Sequence, residues 1–227
     1  MKEKFLSELL LMVALILTAC TYMMPVNAQN NSENVSSHYV LPEFVNGSVL
    51  FKSGKTEDAV INYNTVTEEM IFDKGGTKLA MTNIEAIDTV YLGSRKFIPH
   101  EKIFYEVLIK DNISLFKKHK CNLLQSGSPA GYGGTSETSA TNNISILVGS
   151  GSMYKLELPK DYHVKDASQF RTLKDNVESI ITSQKQFLKI FPQKSAELEQ
   201  FIKKNKLNVR KQEDLIILIH KCNELLR

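Results

Sequence analysis

The stretch 103–124, IFYEVLIKDNISLFKKHKCNLL, reads as two apolar runs around the pair Asp111-Asn112. In the first run Phe104, Glu106, Leu108 and Lys110 alternate with Ile103, Tyr105, Val107 and Ile109, so an extended chain carries apolar side chains on both faces. A strand of that kind belongs in the middle of a sheet. Asp-Asn is tight-turn material, and a two-residue link leaves no room for a crossover helix, so the second run returns antiparallel. Lys117 and His119, flanked by Lys118 and Lys120, make the end of that second run polar and are expected to be exposed.

The same texture extends in both directions. Upstream, short β-branched and aromatic runs at 48–52, 59–64, 69–72, 78–81, 87–92 and 96–98 are separated by Ser53-Gly54-Lys55, Asp73-Lys74-Gly75-Gly76 and Gly93-Ser94. Downstream, residues 125–143 (QSGSPAGYGGTSETSATNN) form a long Gly/Ser/Thr-rich loop, beyond the usual ~12–15 residues for a connection inside a domain. Strand pattern resumes at 144–148 and 153–158, and 170–174 with 177–182 about Asp175-Asn176 reads as a final hairpin or as one helix, the two-residue turn favouring the hairpin.

From 183 onward the period changes to three and four. Ser183 with Gln186 fits a capping box, and Pro192 restarts the chain as a first helical residue. Leu198, Phe201 and Ile202 form one apolar stripe; Leu215, Leu218, Ile219, Cys222 and Leu225 form another. The expected fold is α+β, an antiparallel, curved β-meander sheet of about 8–12 short strands followed by a small C-terminal helical segment packed on it.

The N-terminus points to export. Leu9 to Leu17 is an unbroken apolar run behind Lys2 and Lys4, too short for the ~20 residues of a membrane span. Two cleavage sites compete. Leu17-Thr18-Ala19-Cys20 reads as a lipobox, giving a signal of 1–19 and a lipidated Cys20. Val26-Asn27-Ala28 before Gln29 reads as an ordinary signal-peptidase site, giving a signal peptide of 1–28. Both place the protein in a bacterial envelope, in the periplasm or associated with the outer membrane, lipid-anchored if Cys20 is modified. Residues 29–46 then read as a flexible leader, 47–182 as the β domain and 183–227 as the helices.

Composition narrows the function classes. The 227 residues are 42% hydrophobic and 23% charged with a net charge of +3, which excludes a disordered or multi-span membrane chain. The charge is too small and dispersed for nucleic acid. It is also uneven: residues 184–227 carry +5, with Lys203, Lys204, Lys206, Arg210 and Lys211 grouped at a helix junction. That group is either a contact for anionic headgroups or an acidic partner, or a solvated face at a helix C-terminus. Cys121 and Cys222 are candidates for one disulfide in an oxidising compartment, or two buried thiols.

The segments Ala59-Val60-Ile61-Asn62-Tyr63-Asn64, Glu69-Met70, Asp88-Thr89-Val90, Arg95-Lys96-Phe97-Ile98-Pro99, Tyr105-Glu106-Val107, Tyr132-Gly133 and Phe187-Leu188-Lys189-Ile190-Phe191-Pro192 resemble uncharacterised exported β-rich proteins of Bacteroidetes-type bacteria. The resemblance implies export and a β-rich body with a helical tail. It implies no activity and no site residues.

Chemical signatures are sparse. GxxxxGK[ST] and GxSxG are both missing, so neither a phosphate-cradling loop nor the usual nucleophile elbow is encoded. No cofactor is expected. His38, His100, His119, His163 and His220 show no ligand-pair spacing, and His119 with Cys121 would share a strand face without the further ligands zinc needs. Glu68, Glu69, Asp88 and Glu106 are the carboxylates available for acid/base work or for plain solvation. Tyr132, the aromatic of the long loop, is a candidate contact for a partner or ligand. Three readings follow: a non-enzymatic binding or interaction module of the envelope, a periplasmic carrier of an apolar or lipid ligand, and a hydrolase of unfamiliar signature.

Overall fold

Short alternating runs with two- to four-residue turns can bury their apolar faces only by pairing laterally, and the computed structural model shows that outcome. It describes residues 37–125, 129–130, 134–135, 154–159 and 162–226, all within one compact unit. The strands are β1 (Val45–Phe51), β2 (Thr56–Asn64), β3 (Glu69–Lys74), β4 (Thr77–Ala80), β5 (Ile87–Leu92), β6 (Arg95–His100), β7 (Ile103–Ile109), β8 (Ser114–Lys118), β9 (Cys121–Gln125), β10 (Pro129–Ala130), β11 (Gly134–Thr135), β12 (Tyr162–Asp166), β13 (Gln169–Lys174) and β14 (Val177–Ile181). Ten of them make one antiparallel sheet in the order β14-β13-β8-β7-β6-β5-β1-β2-β3-β4. The protein is therefore α+β, as the sequence indicates, and the sheet is not strongly curled.

The order departs from a simple meander at two places, where β13 lies beside β8 and where β5 lies beside β1. β1 lies between β2 and β5, so the chain leaving β4 runs through a 3-10 turn at Ile84–Ala86 to rejoin the sheet on the far side of β1. β7 sits between β6 and β8, the central position its two apolar faces require. The run 113–124 is two strands, not one. At Lys120 the β8–β13 ribbon bends into a separate β9–β12 pair, and the bend is held by the Ala167 N–H donating to the Lys120 carbonyl at 2.9 Å.

Three further expectations need correction. The leader does not extend to 46. Val40 donates to the Tyr63 carbonyl at 2.9 Å, Tyr39 bridges to Asn64, and the Asn62 amide brackets Leu41 and Glu43, so the chain from Ser37 straps β2. Residues 154–158 do not form a strand. His119 is buried, not exposed, for the reason given in the next section. The signal and Cys20 readings, Tyr132 and the 144–148 strand lie outside the described residues.

The helices are α1 (Gln184–Ile190), α2 (Ser195–Asn205) and α3 (Gln212–Leu225). The Ser183 hydroxyl accepts from the Gln186 N–H at 3.2 Å, capping α1, while Gln186 Oε1 takes the Thr182 N–H at 3.0 Å. Pro192 opens a 3-10 turn, and α2 ends on Lys206, whose left-handed φ of 53° lets Leu207 donate back to Ile202 at 3.0 Å. The inward stripes Leu198 and Ile202, then Leu215, Leu218, Ile219 and Cys222, cover Ile109, Ile113, Leu115 and Ile181 of the sheet. A second core of Val49, Ile61, Tyr63, Met70, Val90, Leu92, Phe97 and Phe104 fills the other end.

Candidate functional site

Ladder register decides which side chains share a face. Gly47 pairs with Ala59 and Leu92, and Val49 with Val90, so these residues point to the core side of the sheet. One residue out of phase, Ser48 pairs with both Asp58 and Tyr91, and Asn46 with Val60. These face away from the core. Val60 is 37% and Tyr91 38% exposed on this open face. Between them lies an open groove of about 640 Å³, lined by Asn46, Ser48, Asp58, Val60 and Tyr91. Gly47 forms part of its floor because a Cβ there would stand 2.4 Å from the Tyr91 carbonyl oxygen, so only glycine lets β1 run this close to β5.

A second polar constellation lies inside the molecule. His119 Nε2 donates to Glu106 Oε2 at 2.6 Å, and Arg95 Nε meets Glu106 Oε1 at 3.2 Å. Both His119 and Glu106 are buried, with the rings of Tyr63 and Phe97 beside the imidazole. Burial alone would raise the Glu106 carboxyl, but the His119 hydrogen bond and the charges of Arg95 and Lys117 bring it below the ordinary carboxylate value. Burial holds the His119 imidazole below its ordinary value and outweighs the pull of Glu106. The pair is thus a carboxylate accepting from a neutral imidazole at pH 7.

Around this pair the β2–β3 turn meets the β8–β9 bend. The Cys121 N–H donates to the Thr65 carbonyl at 2.9 Å, and the Thr65 hydroxyl lies 3.0 Å from the Cys121 sulfur. Glu68 takes Lys118 at 2.7 Å and Lys120 at 3.2 Å. A carboxylate–imidazole pair is the base half of a nucleophilic triad. The Cys121 thiol nearby in sequence is pushed up by burial and accepts from the Thr65 hydroxyl. The arrangement ties two parts of the sheet together.

The sequence candidates scatter. Lys203, Lys204, Lys206, Arg210 and Lys211 are all exposed around the α2–α3 junction, where Lys203 pairs with Glu199 at 2.9 Å and Arg210 Nε reaches the Thr182 carbonyl at 3.4 Å. Cys121 and Cys222 are both free thiols. The bridge weighed from the sequence is therefore not formed; Cys222 sits in the helical core, where burial pushes its thiol up to about 12. Among the described residues no three metal-ligating side chains converge, and no helix is long and apolar enough to cross a membrane. Of the other carboxylates, Glu69 accepts from the Tyr154 hydroxyl at 3.3 Å and Asp88 from Thr89 at 2.8 Å.

Comparison with protein-family models, curated proteins and solved structures finds no match. The groove residues were not singled out by sequence reading. Val60 and Asn62 look equivalent in an alternating strand, and only the ladder register, with the 37–44 strap over Asn62 and none over Val60, distinguishes the covered position from the open one.

Proposed function

We propose that this chain is an exported cell-envelope protein whose work is binding and not catalysis. The observation that carries the reading is the groove on the open sheet face, where exposed Tyr91 and Val60 stand among the amide, hydroxyl and carboxylate of Asn46, Ser48 and Asp58. An apolar contact flanked by a few hydrogen-bonding groups is the usual make-up of a recognition surface. The groups able to perform acid/base chemistry, Glu106 and His119, are by contrast sealed in the interior. A photo-crosslinking residue at position 91, introduced in cells, is expected to yield a discrete adduct that the same residue at exposed position 204 does not. No adduct at 91, or turnover on envelope polymers that His119→Ala abolishes, overturns the reading.

The carrier reading keeps one observation of its own. At the end of the β1–β5 core Val49, Phe51, Phe72, Met81 and Ile87, together with the charged Glu57, Asp58, Asp73 and Lys74, line a recess of about 420 Å³, within the usual range for small-molecule sites. Contact between β3 and β7, far apart in the strand order, supports a sheet that bends over its own face. Native mass spectrometry separates the two: a dissociable lipid mass lost on Phe51→Asp favours the carrier. The same spectrum distinguishes a start at Gln29 from an acylated Cys20, and acylation would put the basic α2–α3 junction within reach of a membrane surface.

A further inference from the structure

The β14 border of the sheet carries an inference independent of the groove. β13 and β14 join through Asp175-Asn176, both with left-handed φ (51° and 62°), as a two-residue hairpin turn requires. The pair that closes such a turn, Lys174 and Val177, is hydrogen-bonded. Along β14 the main-chain groups of Val177, Ser179 and Ile181 therefore turn toward β13, and those of Glu178 and Ile180 turn outward. The next outward position agrees with this alternation. The Thr182 N–H donates to Gln186 Oε1 at 3.0 Å and its carbonyl accepts from Arg210 Nε at 3.4 Å.

Side chains thus cap the border at Thr182, while the outward groups of Glu178 and Ile180 face no strand among the described residues. The usual deterrents to edge pairing are missing from this strand, which has no proline, no lysine and no bulge. Its one charge, Glu178, is held by Arg171. Val177 is 63% exposed, the most of any large apolar residue described.

We propose that β14 pairs antiparallel with β14 of a second copy of this chain, about a two-fold axis through Ser179. The outward groups select this register. An axis at Glu178 would set two carboxylates directly opposite each other, which is unfavourable. An axis at Ile180 would set Glu178 against Thr182, whose groups are already taken. The axis at Ser179 sets Glu178 opposite the partner's Ile180 on both sides and uses every free outward group. Val177, Ser179 and Ile181 share one side of the strand, so the exposed Val177 comes to lie beside the partner's Ile181, at the margin of the helical core. A two-fold axis normal to the sheet keeps the helices of both copies on one side, and the result is a single sheet running through two chains.

The register makes a sharp test. At its centre the two Ser179 residues form a non-hydrogen-bonded pair, about 4.5 Å between Cα atoms, within disulfide reach. In the full chain with Cys20→Ser, Ser179→Cys is expected to give a covalent dimer on mild oxidation, and Glu178→Cys to stay uncrosslinked. Cys121 and Cys222 are buried and add no background. Light scattering should give the mass of two chains for the Cys20→Ser parent at micromolar concentration, and of one chain for Val177→Lys, whose substitution at an exposed site leaves the fold intact. A natively folded Ser179→Cys chain that does not crosslink overturns the proposal. So does equal crosslinking from 178 and 179, or a parent that is monomeric.

Discussion

The two ends of the sheet hide the same kind of apolar face by different means. At the β7–β14 end, three amphipathic helices supply the cover, and the core between them and the sheet is almost wholly apolar. Its main polar member, Asn223, brackets Ile113, accepting its N–H at 2.8 Å and donating to its carbonyl at 2.9 Å. At the other end, from β1 to the first half of β7 with the β8–β9 bend, the cover is the chain itself, and the price is a set of buried polar groups: Asn62, Asn64, Thr65, Glu106 and His119. A helix satisfies its own backbone and presents a clean stripe, whereas turns and strand ends brought together need partners one by one. One end should therefore respond to volume and the other to charge.

Truncating Glu106 tests this most severely. Glu106→Ala leaves Arg95 and His119 without their shared carboxylate, an expected loss of about 3–5 kcal/mol in urea unfolding, with hydrogen exchange rising first in β6–β8. The same pair sets the acid response. Both groups have folded pKa values below their ordinary ones, 4.5 for Glu106 and 6.5 for His119, so the unfolded chain binds more protons. Their contribution is fully present above about 6.5 and is lost as pH falls, through His119 first and then Glu106. Melting temperature against pH should fall on the acid side in the parent. If the acid-induced loss appears first in the helices, the contrast between the ends is broken.

On the other side, Leu218→Ala in the helical core should cost about 2–5 kcal/mol, nearer the middle of that range, and leave the shape of the pH profile unchanged. Gly47→Ala should cost about 1–3 kcal/mol, because the added Cβ meets the Tyr91 carbonyl and forces β1 from β5. The smallest effect is expected for Ser183→Ala, about 1 kcal/mol from the lost α1 cap, read as a shift in the urea midpoint.

How much was legible follows the same division. The helical end reads directly from spacing: Ser183, Pro192 and the stripe from Leu215 to Cys222 each do what their positions indicate. The central place of β7 was equally plain, while the segment about Asp175-Asn176 fitted a hairpin or a helix until its pairing with β8 fixed it as β13 and β14. What escaped depends on contacts distant in sequence. His119 looks like part of a solvated Lys-Lys-His-Lys run until Glu106 and the β2–β3 turn close over it. The strap at 37–44 has no period because its hydrogen bonds go to Asn62, Tyr63 and Thr65. The open groove needs the register of three strands before any of its residues stands out.

The bend at Lys120 has a practical corollary. Beyond it β9 and β12 run side by side, with Gln125 paired to Tyr162, so the chain departs and returns at adjacent points. Whatever lies between those two residues is closed at its base by the β9–β12 ladder. Lengthening such a closed segment is cheap, roughly 0.6 kcal/mol for each doubling. The Gln125–Tyr162 base is accordingly a natural port for inserting an epitope, a fluorescent domain or an affinity tag while leaving both cores untouched.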